Sequence, residues 1–328
     1  MKISTLQFLR CPKTKETLHI KNSSKYSINE EIIEDKIFNE SCTYSYEIKN
    51  GIPRFVENKN YTDSFGLQWN FFQKTQLDSY SGLKITSERF WKATNWDPKK
   101  MKNKLILDAG CGSGRFAEIA LKTGAQIIAI DFSRAVDACY ENLKNYTNIQ
   151  VIQADIYNLP FDLESFDYIY SLGVLQHTPD VKNAFLSLTK VLKKEGSICV
   201  DFYEKTFFSK FLPKYLLRPI TTKLSKNKLF NILKKLTPTL LKISEIISKM
   251  PFIGRKLKYL IPVANYKDEL PLNTSQLKEW ALLDTFDWLS PAYDNPQSKK
   301  EVKILLKKSN IKNAEVLKAG HLVGRGKK

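Results

Sequence analysis

Residues 105–116, LILDAGCGSGRF, constrain this chain more than any other stretch. A short apolar run ends in Asp108. Gly110, Gly112 and Gly114 follow at alternating positions, and a helical pattern then begins. Glycine has no Cβ and tolerates positive φ, so such a turn lets the backbone approach a ligand closely. The helix behind it aims free N–H groups and a partial positive charge at the same spot. Asp131 ends the next apolar run, where a nucleotide-binding α/β sheet grips a ribose.

Two nucleotide readings compete. The dinucleotide fingerprint is G-x-G-x-x-G. Here the spacing is G-x-G-x-G, with an acid two residues ahead of the first glycine. A carboxylate is out of place beside a pyrophosphate and well placed beside an ammonium. A bare strand–helix turn that binds nothing is the plain alternative for this motif taken alone. Further on, 125–131, 149–156, 165–171 and 196–201 read as buried strands, with Asp131, Asp155 and Asp201 among their terminal acids. Ser133 is placed as a helix N-cap, and Thr178-Pro179-Asp180 opens a helix with proline in its first turn. Strand–helix alternation of this kind predicts an α/β fold with a doubly wound, mostly parallel sheet.

The run DAGCGSG, the order of acids and the stretch LPF…FD…GVLQHTPD resemble the class I S-adenosylmethionine-dependent methyltransferases, type 11 family, over about residues 104–203. That resemblance implies a seven-stranded Rossmann-like sheet and S-adenosylmethionine as cofactor. It also assigns roles. Asp108 would orient the methionine ammonium, and backbone at Ala109, Gly110 and Gly112 would line the methionine part. Asp131 would accept both ribose hydroxyls, with Phe132 over the adenine face and Asp155 and Ile156 at its edge. Ser171 and Leu172 would lie near the sulfonium. Helix capping is the bland alternative for Asp131 and for Asp155.

The chain is long enough, at 328 residues, for an α/β core and a second unit. The division expected is 1–60, a small β module; 61–103, a helical lid; 104–204, the cofactor-binding core; 205–284, a basic helical insertion; and 285–328, the rest of the core. Five scattered cysteines form no paired framework, which suggests a reducing cytoplasm. No apolar run is long enough to span a bilayer. Around Cys11 and Cys42 the chain resembles the zinc-ribbon module of methyltransferase activators. Thr14 and Ser45 stand where two of that module's four cysteines belong. Structural zinc takes four thiolate or imidazole ligands, so a degenerate, metal-free relic is expected, with His19 the one further candidate ligand. Asn50-Gly51 would turn its hairpin.

The motifs FGxQW, TQLDS and SxRF in the lid resemble a subset of bacterial type 11 enzymes associated with surface-polysaccharide or lipid-linked pathways. In that light Gln68, Trp69, Gln76 and Arg89 become substrate-side candidates, Arg89 with the option of pairing with the cofactor carboxylate. Otherwise they are packing residues of a lid and an ordinary ion pair. The segment 285–294 resembles the same subset and adds Asp287, Trp288 and Tyr293, read as a loop beyond the strand ends. A helix at 298–309 and strands at 313–317 and 321–324 would close the sheet.

Charge is concentrated. From Lys205 to Pro262 there are fourteen Lys or Arg and one acid, Glu245, which is +13 of the formal +18. Leu229, Ile232, Leu233, Leu236, Leu240, Ile243 and Ile247 fall near helical spacing, with Pro238 as an interruption. Such an insertion can lie on anionic lipid, grip nucleic acid, or pack its stripe inward and leave a solvated basic face.

These features predict methyl transfer to an oxygen or nitrogen, with carbon a further option, of a small-molecule, glycan or lipid-linked acceptor. His177, beyond the fourth strand, is the candidate general base; its plain alternative is a packed loop residue. Two nucleic-acid signatures are missing: Ser171-Leu172-Gly173-Val174 replaces N/D-P-P-Y/F, and no Pro-Cys dipeptide occurs. RNA methylation, notably of a wobble base, and a non-catalytic cofactor-binding regulatory role stay open.

Overall fold

The computed structural model describes residues 1–21, 25–26, 31–56, 60–206 and 212–328. The remaining parts of the expected 1–60 module and basic insertion, among them 207–211, lie outside the described residues.

Five strands come from the first sixty residues: β1 (Leu18–Ile20), β2 (Lys25–Tyr26), β3 (Ile32–Asn39), β4 (Ser45–Lys49) and β5 (Ile52–Arg54). Seven follow: β6 (Leu105–Ala109), β7 (Gln126–Asp131), β8 (Ile149–Gln153), β9 (Phe166–Ser171), β10 (Leu192–Phe202), β11 (Lys312–Ala319) and β12 (His321–Lys327). β8-β7-β6-β9-β10 run parallel, and β12 and then β11 add antiparallel at one edge.

The expected count of seven is too low. At the β8 edge the order continues β5-β4-β3-β1, so eleven strands lie side by side, with β2 paired to β3 off that path. The join is Arg54 opposite Gln153, reinforced by Phe55 N–H donating to the Gln153 carbonyl at 2.8 Å. Arg54 also donates to Gln153 Oε1 at 2.8 Å and pairs with Asp137 at 2.6 Å. The Asn50-Gly51 turn has positive φ at both residues, as a two-residue hairpin requires.

Both faces of the parallel strands are covered. Ile127 and Ala129 of β7 enter one apolar cluster with Phe90, Phe116 and Tyr170; Ile128 and Ile130 enter the other. That second cluster also takes in Leu9, Ile37 and Ile48, so the N-terminal module shares the core.

Helices α1 (Asp63–Phe71), α2 (Asp78–Ser81), α3 (Ile85–Thr94) and α4 (Pro98–Met101) precede β6. α5 (Arg115–Leu121), α6 (Ala135–Leu143) and α7 (Val181–Val191) are the crossovers. α6 starts two residues after Ser133, which is not its N-cap. The Ser133 hydroxyl instead donates to Asp131 at 2.7 Å and accepts from Ala135 N–H at 3.1 Å. Pro179 lies ahead of α7, because Asp180 takes the cap by accepting from Asn183 N–H at 3.0 Å.

The insertion comprises α8 (Pro213–Thr221), α9 (Lys226–Ser248) and α10 (Gly254–Leu257). Pro238 does not interrupt α9. It is exposed, and a long packed helix tolerates one missing N–H. α11 (Thr274–Leu289) runs straight through the expected boundary at 284/285, so 285–289 is helix and not loop. α12 (Lys299–Lys308) is closed by a Ser298/Glu301 capping box.

Candidate active site

A cavity of about 1070 Å³ opens beyond the carboxyl ends of β6, β7, β9 and β10, roofed by side chains of α1, α3 and α11. This is where open α/β sheets bind ligands.

Its floor is the glycine turn. Gly110, Gly112 and Gly114 have φ of 90°, 53° and 88°. Gly110 and Cys111 N–H groups donate to the Ile130 carbonyl at 2.8 and 2.9 Å. Gly112 N–H donates to Asp131 Oδ2 at 3.0 Å, while Asp131 Oδ1 accepts from the Ser133 backbone and hydroxyl. Burial pushes the Asp131 carboxyl up, and those bonds oppose it. A Cβ on Gly110 would sit 2.4 Å from Val174 Cγ2.

Asp108 lies beneath this turn, 2% exposed, with Oδ2 lacking a partner among the described residues. Burial pushes its carboxyl up to about 8, against the Tyr170 hydroxyl and the Arg115 charge.

Gly110, Gly112, Asp131, Phe132 and Ile156 line the cavity, as do Gln68, Trp69, Gln76, Arg89, Asp287, Trp288 and His177. Asp108, Ala109, Asp155, Ser171, Leu172 and Tyr293 are not on its wall. Ser171 is spent on tying β9 to β6, its hydroxyl donating to the Ala109 carbonyl at 2.7 Å. Leu172 is buried in the core behind it. Asp155 holds the turn after β8, accepting from Tyr157 N–H at 2.9 Å and Asn158 Nδ2 at 3.1 Å. The Tyr293 ring packs edge-on against Tyr61, with centroids 5.3 Å apart.

His177 ends a short 3₁₀ turn, Leu175–His177, with its ring between Phe65 and Tyr203. Nδ1 lies 3.0 Å from the Tyr293 carbonyl oxygen. A carbonyl only accepts, so Nδ1 carries the proton and the lone pair of the neutral ring is on Nε2. Nε2 is buried and has no hydrogen-bond partner among the described residues.

The roof is a polar network. Arg89 pairs with Asp201 at 2.7 Å, and Asp201 also accepts from Gly173 N–H. That pair holds the Asp201 carboxyl low despite burial. Tyr203 donates to Asp287 at 2.8 Å, and Gln68 Nε2 donates to its other oxygen at 3.3 Å. Gln76 bridges Arg115 and Asp284, and Tyr266 also donates to Asp284. Burial, with the Asp287 charge, pushes Asp284 up to about 6. Burial and Arg89 bring Arg115 down to about 10.

Arg115, Tyr203, Tyr266 and Asp284 were not singled out from sequence. Two signals were available: Tyr203 sits two residues past Asp201, the acid near the end of β10, and Asp284 lies one helical turn before Asp287.

In the N-terminal module no group of three or more His, Cys, Asp or Glu is arranged for a metal among the described residues. Cys11 Sγ is 3.1 Å from the Tyr46 hydroxyl, and Cys42 Sγ is 3.9 Å from His19 Nε2.

Residues 107–200 match a protein family described as a methyltransferase domain. The core of this chain is a methyltransferase domain, and its cofactor is S-adenosylmethionine. An uncharacterised chloroplastic methyltransferase of Arabidopsis thaliana is 29% identical over 155 residues, 44% of this chain and 42% of that protein. Demethylmenaquinone methyltransferase of Staphylococcus carnosus is 28% identical over 142 residues, 42% of this chain and 57% of that protein. A ubiquinone biosynthesis O-methyltransferase of Coxiella burnetii is 29% identical over 109 residues, 33% and 47%. The chain thus spans about half the length of the curated relatives it matches. Among solved structures, a Methanococcus maripaludis protein assigned as an S-adenosylmethionine-dependent methyltransferase aligns over 83% of this chain and 96% of its own, at 15% identity and TM-score 0.44. Human N-acetylserotonin methyltransferase aligns over 83% and 60%, at 13% identity and TM-score 0.46.

The floor suits this cofactor. Gly110, Gly112 and Asp131 line it, and Asp108, behind the wall and beneath the turn, holds a buried carboxyl oxygen without a partner among the described residues, the chemistry an ammonium takes.

Proposed function

We propose that the whole protein transfers a methyl group to an oxygen or nitrogen of a small-molecule, glycan or lipid-linked acceptor, with His177 as general base. One observation carries the base assignment: His177 lines the cavity, the Tyr293 carbonyl fixes its Nδ1–H tautomer, and its buried Nε2 has no hydrogen-bond partner among the described residues. When bound, the cofactor supplies a methyl already activated on a sulfonium. The chain's task is then to align the acceptor, exclude water and take a proton.

Asp108 would hold the ammonium, Asp131 the ribose hydroxyls, and Phe132 and Ile156 the adenine. The acceptor would rest under Gln68, Tyr203, Asp284 and Asp287, whose carboxylates accept from hydroxyl or amine hydrogens. His177 would take the proton that the acceptor's heteroatom sheds on methylation. The small-molecule acceptors in the names of the quinone-pathway relatives support this class over nucleic acid.

The test is calorimetry with S-adenosylmethionine, followed by labelled methyl transfer to small-molecule, lipid and RNA fractions of a cell extract. Micromolar binding and label in the first two fractions are expected. His177→Ala should lower turnover by about 10²–10⁴ while cofactor affinity holds. Label in RNA alone, or unchanged turnover in the variant, overturns the reading.

A further inference from the structure

The apolar stripe expected along the insertion splits in two. Leu229, Phe230, Leu233 and Leu241 of α9 are buried, packed with α11 residues such as Leu283, Phe286 and Ala281. Ile232, Leu236, Ile243 and Ile246 are exposed, Ile246 at 69%, and so is Met250 beyond the helix end. At about 100° per residue these five fall within an arc of roughly 80°. They form a second apolar row, which faces solvent. Beside it run Lys228, Lys235, Lys242 and Lys249, each seven residues from the last and each exposed. Glu245, the one acid of α9, is already paired with Lys267 at 2.9 Å.

The row runs on into the turn around α10. Phe252 is fully exposed, and Ile253, Tyr259 and Leu260 are more than half exposed. A contiguous apolar surface of this kind marks an interaction site. A lysine row along its flank complements an anionic partner. A helix with apolar side chains and lysines on adjoining faces is the pattern that lies in a membrane interface. No described helix is long and apolar enough to cross a membrane.

One edge of the cavity borders this surface. Tyr259 and Leu212 both line the cavity and are exposed, so one open edge of the cavity lies between the start of α8 and the turn after α10; Lys84, Glu88, Lys92 and Lys318 are exposed lining residues at other edges.

We infer that the outer face of α9 and the α10 turn dock on an anionic lipid bilayer, with the cavity edge at Leu212 and Tyr259 beside the lipid surface. The docking stands apart from the chemistry. That the acceptor enters from the bilayer rests on the methyl-transfer reading above.

The experiment is co-sedimentation of the full chain with phosphatidylcholine vesicles, with and without phosphatidylglycerol, across a salt series, alongside tRNA binding and light scattering. Binding to the anionic vesicles should exceed binding to neutral ones by about tenfold or more at low salt, and fall as salt rises. Ile243→Ser with Ile246→Ser, and separately Lys235→Glu with Lys242→Glu, should each lower it at least severalfold, while cofactor affinity by calorimetry stays unchanged. These side chains are exposed, so the folds should survive, and cofactor binding checks that. Indifference to both vesicle types overturns the inference. Tight salt-dependent tRNA binding in its place assigns the face to nucleic acid, and a dimer lost on Ile246→Ser assigns it to a second copy. If vesicles bind but no methyl moves, the docking stands and the proposed reaction falls.

Discussion

Asp108 is a carboxyl that keeps its proton near neutrality. Its ordinary value is 3.8, and burial carries it to about 8. The sign follows directly. Below about 8 the group is neutral in the empty fold, whereas an ammonium beside it favours the anion. Cofactor binding should therefore release a proton, and affinity should climb from pH 5 to 8 and level off above. Calorimetry in two buffers of different ionisation enthalpy reads this as a buffer-dependent heat. Asp108→Asn should remove the buffer dependence and weaken binding. The same shift penalises the empty protein as pH rises above 4, because the unfolded chain ionises freely. The asparagine variant should thus melt higher than wild type near pH 8 without cofactor. Much at this scale was legible in sequence, because one short segment sets Asp108, Gly110 and Gly112 in place. The exception is instructive. Tyr293 is a substrate-side candidate in the sequence, but its contact with His177 is made by its backbone carbonyl, which every residue has and no sequence pattern marks.

Among the elements, the glycine turn has the least tolerance. Gly110 combines φ of 90° with Val174 at 2.4 Å from any added Cβ. Gly110→Ala faces backbone strain of about 1–2 kcal/mol together with overpacking of about 1–3 kcal/mol. Denaturant unfolding should show a loss on that order, and calorimetry should show cofactor binding abolished. The strands β6 to β10 were readable because both of their faces are buried, which gives continuous apolar runs. α11 was not. Leu277, Trp280, Ala281, Leu283, Phe286 and Leu289 are buried around much of its circumference, so no single apolar stripe announces a helix. The join of β5 to β8 was also invisible. It rests on Arg54 meeting Gln153, 99 positions along the chain, and no local period encodes such a meeting. The exposed row on α9 was half legible: spacing located the apolar residues, but only packing says which of them a neighbour covers.

Taken whole, the molecule has one sheet where the sequence suggested a module and a core. Leu9, Cys11 and Ile37 share an apolar cluster with Ile128, Ile130 and Ile152. Separate melting of the first sixty residues would leave the β8 edge and that cluster open to water. Heating should therefore give a single calorimetric transition, with its van't Hoff enthalpy equal to the measured enthalpy. The buried thiol of Cys11 turns this unity into a signal. A reagent reaches that sulfur only when the sheet opens, so its alkylation rate counts openings. A ligand seated on the glycine turn makes openings rarer in proportion to its occupancy. Cys11, which touches no part of the cavity, should thus be shielded by S-adenosylmethionine as a chemical clock of cofactor binding.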